Sequence, residues 1–169
     1  AGYARGVPGQ PLAAASITNR LQAIAALPLL NAADFETGVG FRIGGATTFP
    51  RAMAFGAADD EGLAFEAGRI TAVEARALGI HVNFAPVADV NNNPRNPVIN
   101  TRSFGEDPVV VARLAAAYVR GLTAGGMVAT VKHFPGHGDT DVDSHLGLPL
   151  IAHPRERLDR VELPPFRAG

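Results

Sequence analysis

Cysteine is absent from the 169 residues, which removes disulfides, thiolate nucleophiles and thiolate metal sites together. Tryptophan is absent as well. Positive charge has no surplus: 15 basic side chains stand against 16 acidic ones, for a formal net charge of −1. Nucleic-acid binding rests on neutralising phosphates, so no nucleic-acid partner is expected. No apolar run approaches the roughly 20 residues of a membrane-crossing helix, so no membrane span is expected either. Lysine is almost missing too, since 14 of the basic residues are Arg and the remaining one is Lys132. A compact ammonium is not interchangeable with a guanidinium fork, which makes Lys132 a place to look for chemistry.

What is present describes a packed domain. The 47% hydrophobic and 18% charged residues fit a globular core rather than disorder, and 19 Gly with 13 Pro imply many turns between short elements. The chain opens on Ala1 rather than Met, and Leu163-Pro164-Pro165-Phe166 leads into an element that Gly169 would cut short. It therefore reads as part of a longer sequence, and compartment is left open.

Helical and strand patterns alternate. The spacing predicts a helix over 18–26 with Leu21, Ile24 and Ala25 on one face, then a buried strand over 28–33. Asp59 is expected to cap a helix running to about Leu78 with Gly79 as its stop, followed by a strand over 80–85. Asp107-Pro108 should open a further helix ending near Gly125-Gly126, and 127–131 should form another strand. Such alternation means parallel strands joined by right-handed crossovers. Asp34, Asp89 with its Asn-rich loop, and Lys132-His133 each follow a predicted strand. Polar residues beyond successive strand ends favour a (β/α)8 barrel, ahead of an open doubly wound sheet. A whole barrel takes about 250 residues, so roughly half of one is expected, with sheet edges that would make the isolated chain associate.

Three segments carry chemistry. Residues 132–145, KHFPGHGDTDVDSH, place three of the five His and three Asp close to the only Lys, in a loop marked by Pro135, Gly136 and Gly138. One reading makes alternating His137, Asp139, Asp141, Asp143 and His145 ligands of a divalent ion. Another pairs Asp143 with His145 across Ser144, the carboxylate orienting an imidazole that exchanges a proton with substrate. A third takes the loop as structural. The second segment, 91–108, is a long loop whose Asn residues suit turns, with Arg102 as its best binding candidate. In the third, Asp34 at a strand end suits two sugar hydroxyls, and glycines before Arg42 let that side chain fold back.

These residues carry a family resemblance. KHFPGHGDTDVDSH resembles the signature of family 3 glycoside hydrolases of the β-N-acetylhexosaminidase type. NFAPVADVNNNPRNPVINTRSFGEDP (83–108) resembles the segment those enzymes carry between two barrel strands, and PLLNAADFETGVGFR (28–42) resembles their strand and Asp-x-Glu-Gly-Gly turn. Thr37 stands where the first Gly of that pair usually is. The resemblance implies a TIM-type barrel, with residues 1–169 a partial N-terminal catalytic domain whose remaining strands lie outside it. It implies that Asp34, Arg42, Arg102, Lys132 and His133 bind an N-acetylglucosamine ring, and that His145, held by Asp143, is the general acid and base. It further implies a retaining hydrolase with no metal or organic cofactor, and a nucleophilic Asp beyond Gly169, so this piece alone should lack turnover. Because imidazole is neutral after giving up its proton, it repels incoming phosphate less than a carboxylate would. Phosphorolysis is the alternative chemistry, and a sugar-binding module without catalysis is the alternative class.

Overall fold

The computed structural model describes residues 10–143 and 146–169. Helix α1 (Pro11–Ile24) starts earlier than the periodicity predicts. Pro11 sits in its first turn, where a missing N–H costs nothing. The expected apolar face is not the buried one: Ile24 is 82% exposed and Leu21 is 41% exposed. The helix docks instead through Thr18, whose hydroxyl donates to the Leu78 carbonyl at 2.7 Å. Strand β1 (Ala32–Ala33) follows, then a short helix α2 (Ala52–Ala58) that the sequence pattern did not reveal.

That short helix corrects one capping assignment. Asp59 terminates α2 in a left-handed conformation (φ 52°), and its neighbour Asp60 caps α3 (Glu61–Ala77) by accepting from the Gly62 and Leu63 amides. The predicted stop holds, with Gly79 at φ +75° just beyond the helix. After β2 (Val82–Asn83), Asp107 caps α4 (Pro108–Ala124) as expected, accepting from the Val109 and Val110 amides. Strand β3 (Val128–Ala129) and two short helices, α5 (Arg155–Arg160) and α6 (Pro164–Ala168), complete the described chain.

The strands form a parallel sheet in the order β1-β2-β3, with Ala32 opposite Val82 and Val82 opposite Val128. Its regular ladder is shorter than the predicted strands, and past β2 it is interrupted at Pro86, which brings no N–H to the pairing. Pairing resumes at Val87 opposite Lys132, where the Ala88 amide donates to the Lys132 carbonyl at 2.7 Å. Phe35, Val39, Leu114, Leu122 and Val111 are fully buried in the core. No helix among the described residues is long and apolar enough to cross a membrane.

Helices α3 and α4 approach each other through glycine. A Cβ on Gly121 would lie 2.0 Å from the Phe65 carbonyl oxygen, and one on Gly68 would lie 2.4 Å from that of Tyr118. Both obstacles are backbone, so no rotamer change relieves them. Gly121→Ala is expected to lower stability by about 2 kcal/mol, overpacking outweighing the better helix propensity of Ala. A denaturant midpoint at or above that of the parent would contradict this crossing.

Candidate active site

Polar side chains collect where the three strands end. The stretch after β1 is held to β2 by Asn83, which is fully buried and accepts from the Phe35 amide at 2.9 Å. That anchor presents Asp34 and Glu36, two residues apart on extended backbone and hence on one side. The following turn needs glycine at position 38, where φ is +87° and a Cβ would meet the Thr47 carbonyl oxygen at 2.6 Å. Position 37 makes no such demand, so Thr37 fits, buried, with its carbonyl accepting from the Phe49 amide. Arg42 then folds back over the Phe41 ring at 4.4 Å, and its guanidinium lies 3.9 Å from Asp34 Oδ2.

Glu36 is the centre of the charge network. Lys132 Nζ bridges Asp34 Oδ1 at 2.8 Å and Glu36 Oε1 at 2.9 Å. Arg102 grips the same carboxylate with two prongs, Nε to Oε2 at 3.0 Å and Nη2 to Oε1 at 2.7 Å. Arg51 stands 3.9 Å away. Burial alone would push the Glu36 carboxyl up, but the Arg102 hydrogen bonds and the Lys132 charge outweigh it and hold the group at about 2. Sequence reasoning passed over Glu36. The signal was there in its spacing from Asp34.

His133 joins this cluster, its Nε2 3.4 Å from Arg102 Nη2. Its other ring nitrogen lies 2.6 Å from Oδ2 of Asp89, a carboxylate with no solvent exposure. Asp89 also accepts from the His133 amide at 3.1 Å and the His137 amide at 2.6 Å. The sequence marks Asp89 as a strand-end residue and attaches no role to it. His137 does not join the cluster: the side chain is buried, with Nδ1 against the Thr140 hydroxyl.

The structure thus gathers Asp34, Arg102, Lys132 and His133, with Arg42 beside Asp34. Asp143 is half-buried in a turn whose Leu146 and Gly147 amides donate to its carbonyl. Ser144 and His145 lie outside the described residues, so the predicted Asp143–His145 pairing does too. The alternating metal set does not converge among its described members. His137 faces Thr140, Asp139 pairs with His153 at 2.8 Å and Arg157 at 3.3 Å, and Asp141 accepts from Asn93 at 2.8 Å. Asp139, His153 and Glu162 do bring ligand atoms within 4.8 Å of one another. Arg157 already bridges both carboxylates there, reaching Glu162 at 3.2 Å. Asn96, as its turn chemistry suggested, is structural: its amide ties the 91–100 loop to the carbonyls of His137 and Thr140.

Chemically, this cluster offers a carboxylate acceptor beside an ammonium and a guanidinium. That mixture binds adjacent hydroxyls, which both donate and accept. Asp34 and His133 side chains are 38% and 35% exposed, so they are open to a ligand, while Glu36, at 10%, sits behind the cations.

The family model described as the glycosyl hydrolase family 3 N-terminal domain matches residues 8–169. A β-hexosaminidase A from Pseudoalteromonas piscicida is 46% identical over 161 residues, covering 89% of this chain and 27% of its own length. A solved family 3 β-N-acetylglucosaminidase from Paenibacillus sp. str. FPU-7 is 53% identical with a TM-score of 0.91, over 95% of this chain and 31% of that one. A β-glucoside phosphorylase solved with 2FGlc bound is 32% identical, also with a TM-score of 0.91, over 95% and 29%. The chain spans less than a third of each of these three proteins.

Proposed function

The chain belongs to the glycosyl hydrolase family 3 N-terminal domains, which are TIM-type barrels, and from this we propose that it forms the sugar-binding and proton-transfer part of a retaining β-N-acetylglucosaminidase. The observation that carries the reading is the convergence of Asp34, Arg102, Lys132 and His133 beyond three consecutive parallel strands. Barrel enzymes build their sites at that end.

In this reading a terminal β-linked N-acetylglucosamine binds at this cluster. Asp34 accepts from ring hydroxyls while Lys132, Arg102 and Arg42 donate to them, so each polar group of the sugar exchanges water for a charged partner. His145 donates a proton to the oxygen of the breaking bond, and Asp143 orients and stabilises the imidazolium. A carboxylate from the remainder of the protein, an Asp beyond residue 169, attacks the anomeric carbon to form a glycosyl-enzyme. The neutral imidazole then takes a proton from water, and the sugar leaves with its configuration retained. Residues 1–169 are, in this proposal, part of a barrel completed by further strands.

The full-length protein should be given an aryl N-acetyl-β-glucosaminide and the matching aryl β-glucoside, with and without inorganic phosphate. Phosphate-independent release of N-acetylglucosamine, with the β-anomer appearing first by NMR, supports the hydrolase. A sugar 1-phosphate would replace it by phosphorolysis, the chemistry named for the 32%-identical relative. Binding of N-acetylglucosamine without turnover would make the protein a sugar-binding module.

A further inference from the structure

Asp89 lies at the centre of donors and behind the sugar-facing residues. Its Oδ1 accepts from the His133 amide at 3.1 Å and the His137 amide at 2.6 Å, and its Oδ2 lies 2.6 Å from His133 Nδ1. It is fully buried. An ionised carboxylate only accepts, so the His133 nitrogen facing it must carry a proton. On the far side of the ring, Nε2 lies 3.4 Å from Arg102 Nη2. A guanidinium only donates and stays charged, so a proton on Nε2 would set one N–H against another. One arrangement satisfies both neighbours: Nδ1 protonated, Nε2 bare.

We infer that Asp89 is a positioning residue which locks His133 in the Nδ1–H tautomer, so that Nε2 offers one lone pair, facing Arg102 Nη2 at 3.4 Å in the free protein and passing to a sugar hydroxyl when one enters. This rests on the glycosidase reading for the ligand's identity, but the tautomer does not. The consequence is a division of labour in the cluster. Lys132 and Arg102 are donors, so a hydroxyl they contact is held as an acceptor. His133, 35% exposed at its side chain, is the neutral group that asks for a donor. A sugar whose hydroxyl at that point is replaced by hydrogen or a methyl ether cannot take the lone pair over from Arg102 and loses that contact.

Asp89→Asn separates position from electronics. The amide oxygen still accepts from the two backbone N–H groups, but the amide nitrogen now points an N–H at His133 Nδ1. The ring must answer with a lone pair there and move its proton to Nε2, against Arg102. In the full-length protein with 15N-labelled histidine, the His133 ring signals are identified by their disappearance in His133→Gln. The parent should show a protonated Nδ1 and a bare Nε2 at pH 7 with no ligand present, and Asp89→Asn should show the reverse. KM for the aryl N-acetylglucosaminide should rise roughly 10- to 100-fold with kcat much less affected, since the lost contact serves ground and transition states alike. The parent spectrum decides even if the variant fails to fold. An Nε2–H ring or an imidazolium in the parent overturns the assignment, as does a variant with unchanged tautomer and KM. Absence of any glycosidase turnover alongside the Nδ1–H tautomer would overturn the proposed function and leave the Asp89 assignment standing.

Discussion

Replacing His145 by alanine in the full-length protein is expected to lower kcat by about 10²- to 10⁴-fold for substrates whose leaving group departs as a poor alkoxide. In barrier terms that is on the order of 3–5 kcal/mol. The loss should shrink sharply with activated aryl leaving groups, which depart without a proton. Asp143→Asn should follow the same leaving-group dependence, because in the proposed mechanism the imidazole then lacks the carboxylate that orients it and keeps it protonated. A Brønsted series over leaving groups of graded acidity makes the measurement. Equal losses across the series would remove the proton-transfer role from His145 and with it the mechanism proposed above.

Glu36→Gln should have the largest effect on stability. Two cations, Arg102 and Lys132, share this carboxylate in a part-buried setting, and the exchange leaves both facing a neutral amide. Its acidity measures what is lost. Burial opposes ionisation, yet the paired charges bring the carboxyl from its ordinary 4.5 to about 2, a difference worth about 3 kcal/mol. Because the folded value is the lower one, this stabilisation is fully present above pH 4.5 and disappears as pH falls towards 2. The gap between parent and Glu36→Gln in denaturant unfolding should therefore be about 3 kcal/mol at neutral pH and close steadily below pH 4.5. A gap that stays constant down to pH 2 would mean that the carboxylate contributes packing rather than charge. Function should suffer too, since Arg102 and Lys132 lose the anchor that aims them. A fall in kcat/KM on the order of 10²-fold is expected for misplacement of this kind.

The same two residues illustrate what could be read along the chain. Lys132 stands out by composition alone, and the 132–145 motif places it in a strand-end loop, where the structure has it. Asp107-Pro108 opens α4 as predicted because capping is a matter of adjacent residues. Asp59 and Asp60 show where that locality runs out. Either could cap α3 by its neighbours in sequence, and the choice falls to Asp60 because α2 ends on Asp59, whose carboxylate then pairs with Arg113 across the fold. The apolar residues of α1 had a helical period, but period alone does not say which side meets the core. Thr18, bonding to the end of α3, sets that rotation.

Charge partners followed the same division. Candidate cations could be named one at a time, while Glu36, between Asp34 and the glycine turn, drew no assignment. Its importance comes from Arg102, 66 residues away, and from Lys132 beyond it, brought to one point by three parallel strands. Asp89 gains its meaning likewise from the strand pairing that sets Val87 against Lys132.

The amino-acid order, then, was sufficient for the alternation of strands and helices, for most of their start and stop points, and for the family motif, all of which depend on neighbours a few residues apart. The pairing of carboxylates with cations, the tautomer of His133 and the buried side of α1 were decided only when distant segments met. Those energies depend on distance and on exclusion of water, and neither exists until the sheet has formed.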